Sequence, residues 1–199
     1  MSVASKIPPL RFKGFDGAWE AKRLGSVLKI GNGKDYKHLE PGNVPVYGTG
    51  GYMTSVSASL ASGPSVCIGR KGTIDDPQYL EGPFWTVDTL FYTYGYSGVN
   101  AYWLYCQFER MPWRKYSEAS GVPSLSKMII EELGISVPAL HEQRQLGSTF
   151  RSLDALIADR ELAVEKLQTL KKAMLEKMFP RAGAKVPEVR FKGFVGEWK

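Results

Sequence analysis

A chain of 199 residues with 43% hydrophobic and 23% charged content has room for one ordinary domain and an extension, and it is composed like a folded protein, not a disordered one. No run approaches the ~18 apolar residues needed to span a bilayer, and the opening MSVASKIPPLRFKG lacks the apolar centre of a secretory signal, so the expectation is a cytoplasmic protein with no membrane contact. The net charge of +6 is unevenly spread, with 14 Lys/Arg against 12 Asp/Glu in residues 1–140 and 12 against 8 in residues 141–199, so nucleic-acid contact in the first part requires local basic clusters and not bulk charge.

In chain order, the first feature is a phrase that returns at the other end. Residues 8–19 read PPLRFKGFDGAW and residues 187–198 read PEVRFKGFVGEW, with Pro, Arg, Phe, Lys, Gly, Phe, Gly and Trp repeated in place. Internal repeats govern architecture. The phrase is expected to be either a docking segment used twice or the opening of a second repeat.

Residues up to 140 read as mixed α and β with many turns. Val44–Tyr47 and Ser65–Ile68 are expected short strands, each followed by glycine. The stretch FWTVDTLFYTY at 84–94 is dense in aromatic and β-branched residues, the strongest strand signal in the chain. Asn100 is a good N-cap for a helix through Leu104 and Phe108 that ends before Pro112. Ser126 caps a short helix that stops at Gly134, and residues 135–138 form a last strand.

From His141 glycine and aromatics thin out, and proline is absent until Pro180. Steps of three and four visit Leu146, Phe150, Leu153, Ile157, Arg160, Val164, Leu167, Lys171, Met174 and Met178. All are apolar except Arg160 and Lys171, which is a heptad seam. A helix over 140–179 would be about 60 Å long and could not bury that seam on itself. The fold class expected is α+β: a mixed α/β domain over 1–140, a long coiled-coil helix over 141–180, then a linker and the start of a second repeat over 181–199.

No catalytic constellation is present. The glycine-rich Gly48–Gly51 lacks the spacing of a phosphate-binding loop, there is no Walker A sequence, and His38 and His141 are isolated, so no metal site is expected. Asp75-Asp76-Pro77 reads as turn chemistry. Cys67 and Cys106 form no CxxC pair and read as buried thiols in a reducing compartment. No Asn-Pro-Pro-aromatic tetrad of an amino-methyltransferase occurs.

Binding features are clearer. Arg70 and Lys71 sit between Gly69 and Gly72, a spacing that allows a tight turn with both cations at its tip. Arg114, Lys115 and Tyr116 interleave charge and aromaticity beside Trp113, and Lys34, Lys37 and His38 form a third basic loop. Such groups can read guanine edges or neutralise phosphates. On the residues alone, a solvated charged turn accounts for the first cluster equally well.

In this order the segments resemble a known family. Trp19, Leu24-Gly25, Ile30–Gly33, Val46–Gly51, Ile68–Thr73, Glu81–Leu90 and the exit Val137–Gln143, followed by Leu153-Asp154 and a leucine-rich helix ending at Met178-Phe179, resemble a specificity subunit of type I restriction–modification systems. The resemblance implies that residues 1–140 are a target-recognition domain reading one half of a bipartite double-stranded DNA site. It implies that the helix, through Leu146, Phe150, Leu153, Ile157, Val164, Leu167, Met174 and Met178, sets the spacing and docks methyltransferase subunits, with restriction subunits joining them. S-adenosylmethionine, ATP and Mg would then belong to partner subunits, with no cofactor in this chain. Only one recognition domain is present, so the expectation is one full unit of a duplicated subunit plus the first residues of the next, acting as a homodimer through the long helix. The alternative is a coiled-coil adaptor whose globular part binds protein and not DNA.

Overall fold

The computed structural model describes residues 7–198; the first six residues, part of the stretch read as lacking a secretory signal, and Lys199 lie outside the described residues. The chain divides into two compact units, residues 1–150 and 151–199.

The first unit opens with β1 (Glu20–Arg23), α1 (Leu24–Val27) and β2 (Lys29–Asn32), followed by the hairpin of β3 (Pro41–Gly48) and β4 (Gly51–Val56). Next come β5 (Ala61–Ser62), β6 (Ser65–Gly69), β7 (Gln78–Leu80), β8 (Pro83–Thr86) and β9 (Leu90–Tyr94). The helix α2 (Ala101–Arg110), a 3-10 turn at Trp113–Tyr116, α3 (Lys127–Glu132) and β10 (Gly134–Val137) complete it, before α4 (Leu140–Met178) leads away. The strands form three sheets: β1-β10, β2-β9-β6-β7 and β4-β3-β8-β5. Only β3 and β8 run parallel among the described pairs. The β1–β10 register, Glu20 opposite Val137 and Arg23 opposite Gly134, ties the entry of this unit to the point where α4 departs.

Strand alternation distributes the core. β6 is buried along its whole length, and its period of two sends Val66 and Ile68 into the main cluster and Cys67 into a second one with Leu80, Phe84 and Leu90. The main cluster joins α1, α2 and α3 through Leu24, Trp103, Phe108 and Ile130, with Trp113 packed on Phe108. A third cluster, Val46, Val56 and Trp85, seals the β3–β4–β8 region. Cys67 is fully buried and its thiol is pushed up to about 12 by loss of solvent, so it is inert at neutral pH. Cys106 is also buried.

The caps form where composition placed them: Asn100 accepts from Trp103 N at 3.0 Å and Ser126 from Ile129 N at 3.3 Å. The stretch 84–94 departs from expectation. It is two strands in different sheets, broken at Val87–Thr89, because Val87 N donates to Tyr47 O while Leu90 N turns back to Val87 O. The Gly48–Gly51 segment is the hairpin turn between β3 and β4, where Gly51 adopts a φ of 99° that a side chain would strain.

α4 is anchored at its first turns. Gln143 is fully buried; its Oε1 accepts from Asn100 N at 2.8 Å and its Nε2 donates to Gly98 O at 3.0 Å and Pro138 O at 2.8 Å. At Gly147 a Cβ would lie 2.9 Å from Asn100 Oδ1, so glycine leaves room for the capped start of α2. Leu146 packs against the main core. The first phrase holds the adjacent residue: Arg11 Nε and Nη2 donate to the two carboxylate oxygens of Glu142 at 2.6 and 2.7 Å, and Phe15 stacks on His141 at 5.6 Å.

In the second unit α4 runs to Met178 with its seam exposed, and the chain then folds back along its last turns. Val189 N donates to Lys177 O at 2.9 Å, and Trp198 packs on Phe179 at 5.6 Å. A groove of about 640 Å³ results, lined by Leu170, Met174, Met178, Val189, Phe191 and Phe194 among others.

Candidate DNA interface

The Arg70–Lys71 turn is built by its neighbours. Arg70 N donates to Thr89 O at 2.7 Å, Gly72 N to Pro123 O at 2.9 Å, and Leu125 N to Arg70 O at 2.9 Å. Lys71 bridges Ser124, and Gly72 has a φ of 91°. The main chain is therefore pinned from two sides while both side chains remain exposed. The turn opens on a cleft of about 690 Å³ that also gathers Asn32 from the end of β2, Ser124, Ser126 and Lys127. Asp88 and Glu118 share its wall, so the cleft is mixed in charge and not a uniform basic trough. This arrangement suits hydrogen-bonding to polar edges as well as attraction of phosphate. Asn32 falls within the Ile30–Gly33 family segment, and Lys127 is marked in the sequence only as a basic residue directly after the Ser126 cap.

The other predicted residues lie apart from that cleft. Arg114 clamps Asp75 in a two-pronged ion pair, its Nη2 donating to Oδ1 at 3.2 Å and its Nε to Oδ2. The hydrogen bond from Arg114 holds the Asp75 carboxyl below the usual range. Asp75 is thus a charge partner as well as a turn residue. Lys115 is exposed beside it, whereas Tyr116 leans on the main core and Trp113 is buried, its indole donating to Phe108 O at 2.7 Å. Lys34, Lys37 and His38 occupy the loop after β2. Lys34 N donates to Thr86 O and its carbonyl accepts from the Trp85 indole, both at 2.8 Å, and His38 packs edge-on to Trp85 at 6.0 Å. All three residues are exposed.

Of the seam residues, Leu146 belongs to the domain core. Phe150, Leu153, Ile157, Val164 and Leu167 are exposed, while Met174 and Met178, with Leu167, line the groove of the second unit. Among the described residues no group of three or more His, Cys, Asp or Glu is placed to hold a metal, and no helix is long and apolar enough to cross a membrane.

The chain is 31% identical over 68 residues to the type I restriction enzyme MjaVIII specificity subunit of Methanocaldococcus jannaschii, covering 34% of this chain and 16% of that protein. The fold resembles the S subunit of a type I restriction–modification system from M. genitalium, with a TM-score of 0.66 at 22% identity, over 81% of this chain and 46% of that one. It also resembles the HsdS subunit from Thermoanaerobacter tengcongensis, with a TM-score of 0.55 at 19% identity, over 84% of this chain and 47% of that one. The chain therefore spans less than half the length of these relatives. The sequence profile of the type I restriction modification DNA specificity domain matches residues 17–168, from just before β1 through most of α4, and the chain belongs to that family.

Proposed function

We propose that this chain is a non-catalytic reader of DNA sequence in a type I restriction–modification complex, engaging one half of a bipartite double-stranded site. The observation that carries the reading is the family match, which extends over 17–168 and so takes in the sheets, the Arg70–Lys71 turn and most of α4. It favours a DNA role for the globular part over that of a protein-binding adaptor. In this reading residues 1–140 recognise DNA, residues 141–180 form the spacer, and residues 181–199 open a second repeat. The exposed seam of α4 pairs with the same helix of a second copy and docks methyltransferase subunits, which restriction subunits join. S-adenosylmethionine, ATP and Mg are supplied by those partners, in the cytoplasm.

Arg70 and Lys71 are the central contacts, supported at the edges by Lys34, Lys37, His38 and Lys115. The test is binding of the chain to DNA carrying its half-site across a salt series. Loss of a phosphate contact in Lys71→Ala flattens the slope by about one unit. Loss of a base contact in Arg70→Ala costs about 1–3 kcal/mol and relaxes one position of the site. If both variants bind as the parent does, the turn is not the interface.

A further inference from the structure

The carboxylates of Asp88 and Glu118 in the wall of the Arg70–Lys71 cleft repel phosphate instead of holding it. Asp88 is the one that the main chain joins directly to Arg70. It stands in the break of the 84–94 stretch, where Leu90 N donates to Val87 O at 2.9 Å and closes a turn with Asp88 and Thr89 at its tip. Val87 N donates to Tyr47 O at 3.0 Å, and Gly33 lies so close that a Cβ there would sit 1.8 Å from Val87 O. Thr89 O accepts from both Arg70 N and Lys71 N, at 2.7 and 3.4 Å. One turn tip carries Arg70 and Lys71, the other carries Asp88, and the main chain stitches them side by side.

The side chains are left free while the backbone is held. Arg70 Nη1 donates to the main-chain carbonyl of Asp88 at 3.5 Å and not to its carboxylate. Neither residue has an ion-pair partner among the described residues, unlike Arg114 and Asp75, and both are exposed. Beside a polyanion, an unpaired carboxylate costs affinity and adds selectivity only where a hydrogen-bond donor faces it. In the major groove those donors are the amino groups of cytosine and adenine. Adenine sets its amino group beside the acceptor N7, which suits an amide; a carboxylate only accepts, which suits cytosine N4.

We propose that Asp88 is a specificity-determining residue, accepting a hydrogen bond from the N4 amino group of a cytosine within the base-pair step that Arg70 reads. A G·C pair offers guanine N7 and O6 as acceptors beside the cytosine donor. The guanidinium donates to the first two and the carboxylate accepts from the third, so adjacent turn tips of opposite charge match adjacent groups on the DNA. This deepens the DNA reading above and rests on it.

The test is selection of duplexes from a randomised library by the full chain as parent, Arg70→Ala, Asp88→Ala and Asp88→Asn. The Asp88 side chain is exposed, so both of its variants should melt near the parent, which shows that they are folded. Arg70→Ala should relax a guanine that the parent selects. Asp88→Ala should lower the preference for cytosine in that step by about tenfold while binding to unrelated duplex tightens. Asp88→Asn loses the same charge, yet it should exchange cytosine for adenine, whose N6 and N7 an amide bridges. Equal motifs from Asp88→Ala and Asp88→Asn overturn the hydrogen bond, because the two variants differ only in what they can donate and accept. Relaxation outside the step that Arg70→Ala relaxes overturns the shared reading. In both cases the DNA reading stands. If the parent selects no sequence, or Arg70→Ala keeps the parent's motif, the reading of the cleft falls and this inference falls with it.

Discussion

Asp75 and Arg114 show how a single contact changes what a residue is free to do. In the sequence Arg114 keeps the company of basic and aromatic residues and Asp75 that of a turn, yet the two form one ion pair. Asp75→Asn weakens that clamp and releases the guanidinium. If Arg114 then reaches a phosphate, the salt dependence of DNA binding should steepen by about one unit relative to the parent; an unchanged slope excludes Arg114 from the interface. The pH dependence has a definite sign. The Asp75 carboxyl is held below its usual value in the folded chain, so the pair's contribution to stability is complete above the unfolded value of about 3.9 and is lost as pH falls through the lower folded value. Between pH 5 and 7 the clamp stays shut, and a change in DNA affinity across that window has another source. Trp113, central to the same cluster in the sequence, lies in the core with its indole bonded to Phe108 O. An aromatic flanked by basic residues looks alike in sequence whether it faces DNA or interior, because the distinction is made by residues far along the chain.

At the scale of the element, α4 has an anchored end and an exposed remainder, and substitution at each should give a different signature. Gln143→Ala removes three hydrogen bonds, a buried one to Pro138 O and part-buried ones from Asn100 N and to Gly98 O. A loss of about 1–3 kcal/mol for the one buried carbonyl left unpaired sets the scale, and the denaturation midpoint of the chain should fall. Leu153→Lys with Ile157→Lys alters side chains that are 48% and 55% exposed. That pair should leave the fold of the first unit within about 0.5 kcal/mol of the parent while abolishing self-association, read by denaturation and light scattering; unfolding of the whole chain would contradict the separation. The sequence carried one half of this. Periodicity over 146–178 and the caps at Asn100 and Ser126 are local patterns, legible without neighbours. Glu142 and Gln143 were visible only as part of a family phrase, since their partners come from residues 11, 98, 100 and 138. The break at Val87–Thr89 was illegible for the same reason: the donor there is held by Tyr47, which no window around it contains.

For the whole molecule, the proposed dimer of identical readers joined through α4 would impose its symmetry on the DNA. The methylation pattern in cells carrying this chain as sole specificity chain with its methyltransferase should be an interrupted palindrome: one half-site, a gap, and its inverted copy. An asymmetric motif would refute the symmetric assembly. The exposed seam has a further consequence for the cell. A lone chain presents, from Phe150 to Leu167, an apolar stripe of the kind that soluble proteins keep covered. On the proposed assembly, newly made copies that find no partner would be the ones that chaperones and proteases capture, and a chase of this chain made without its partners should show faster loss than with them. The same residues that join the complex would then also set how much of this chain a cell retains, matching its abundance to that of its partners without any dedicated control of synthesis.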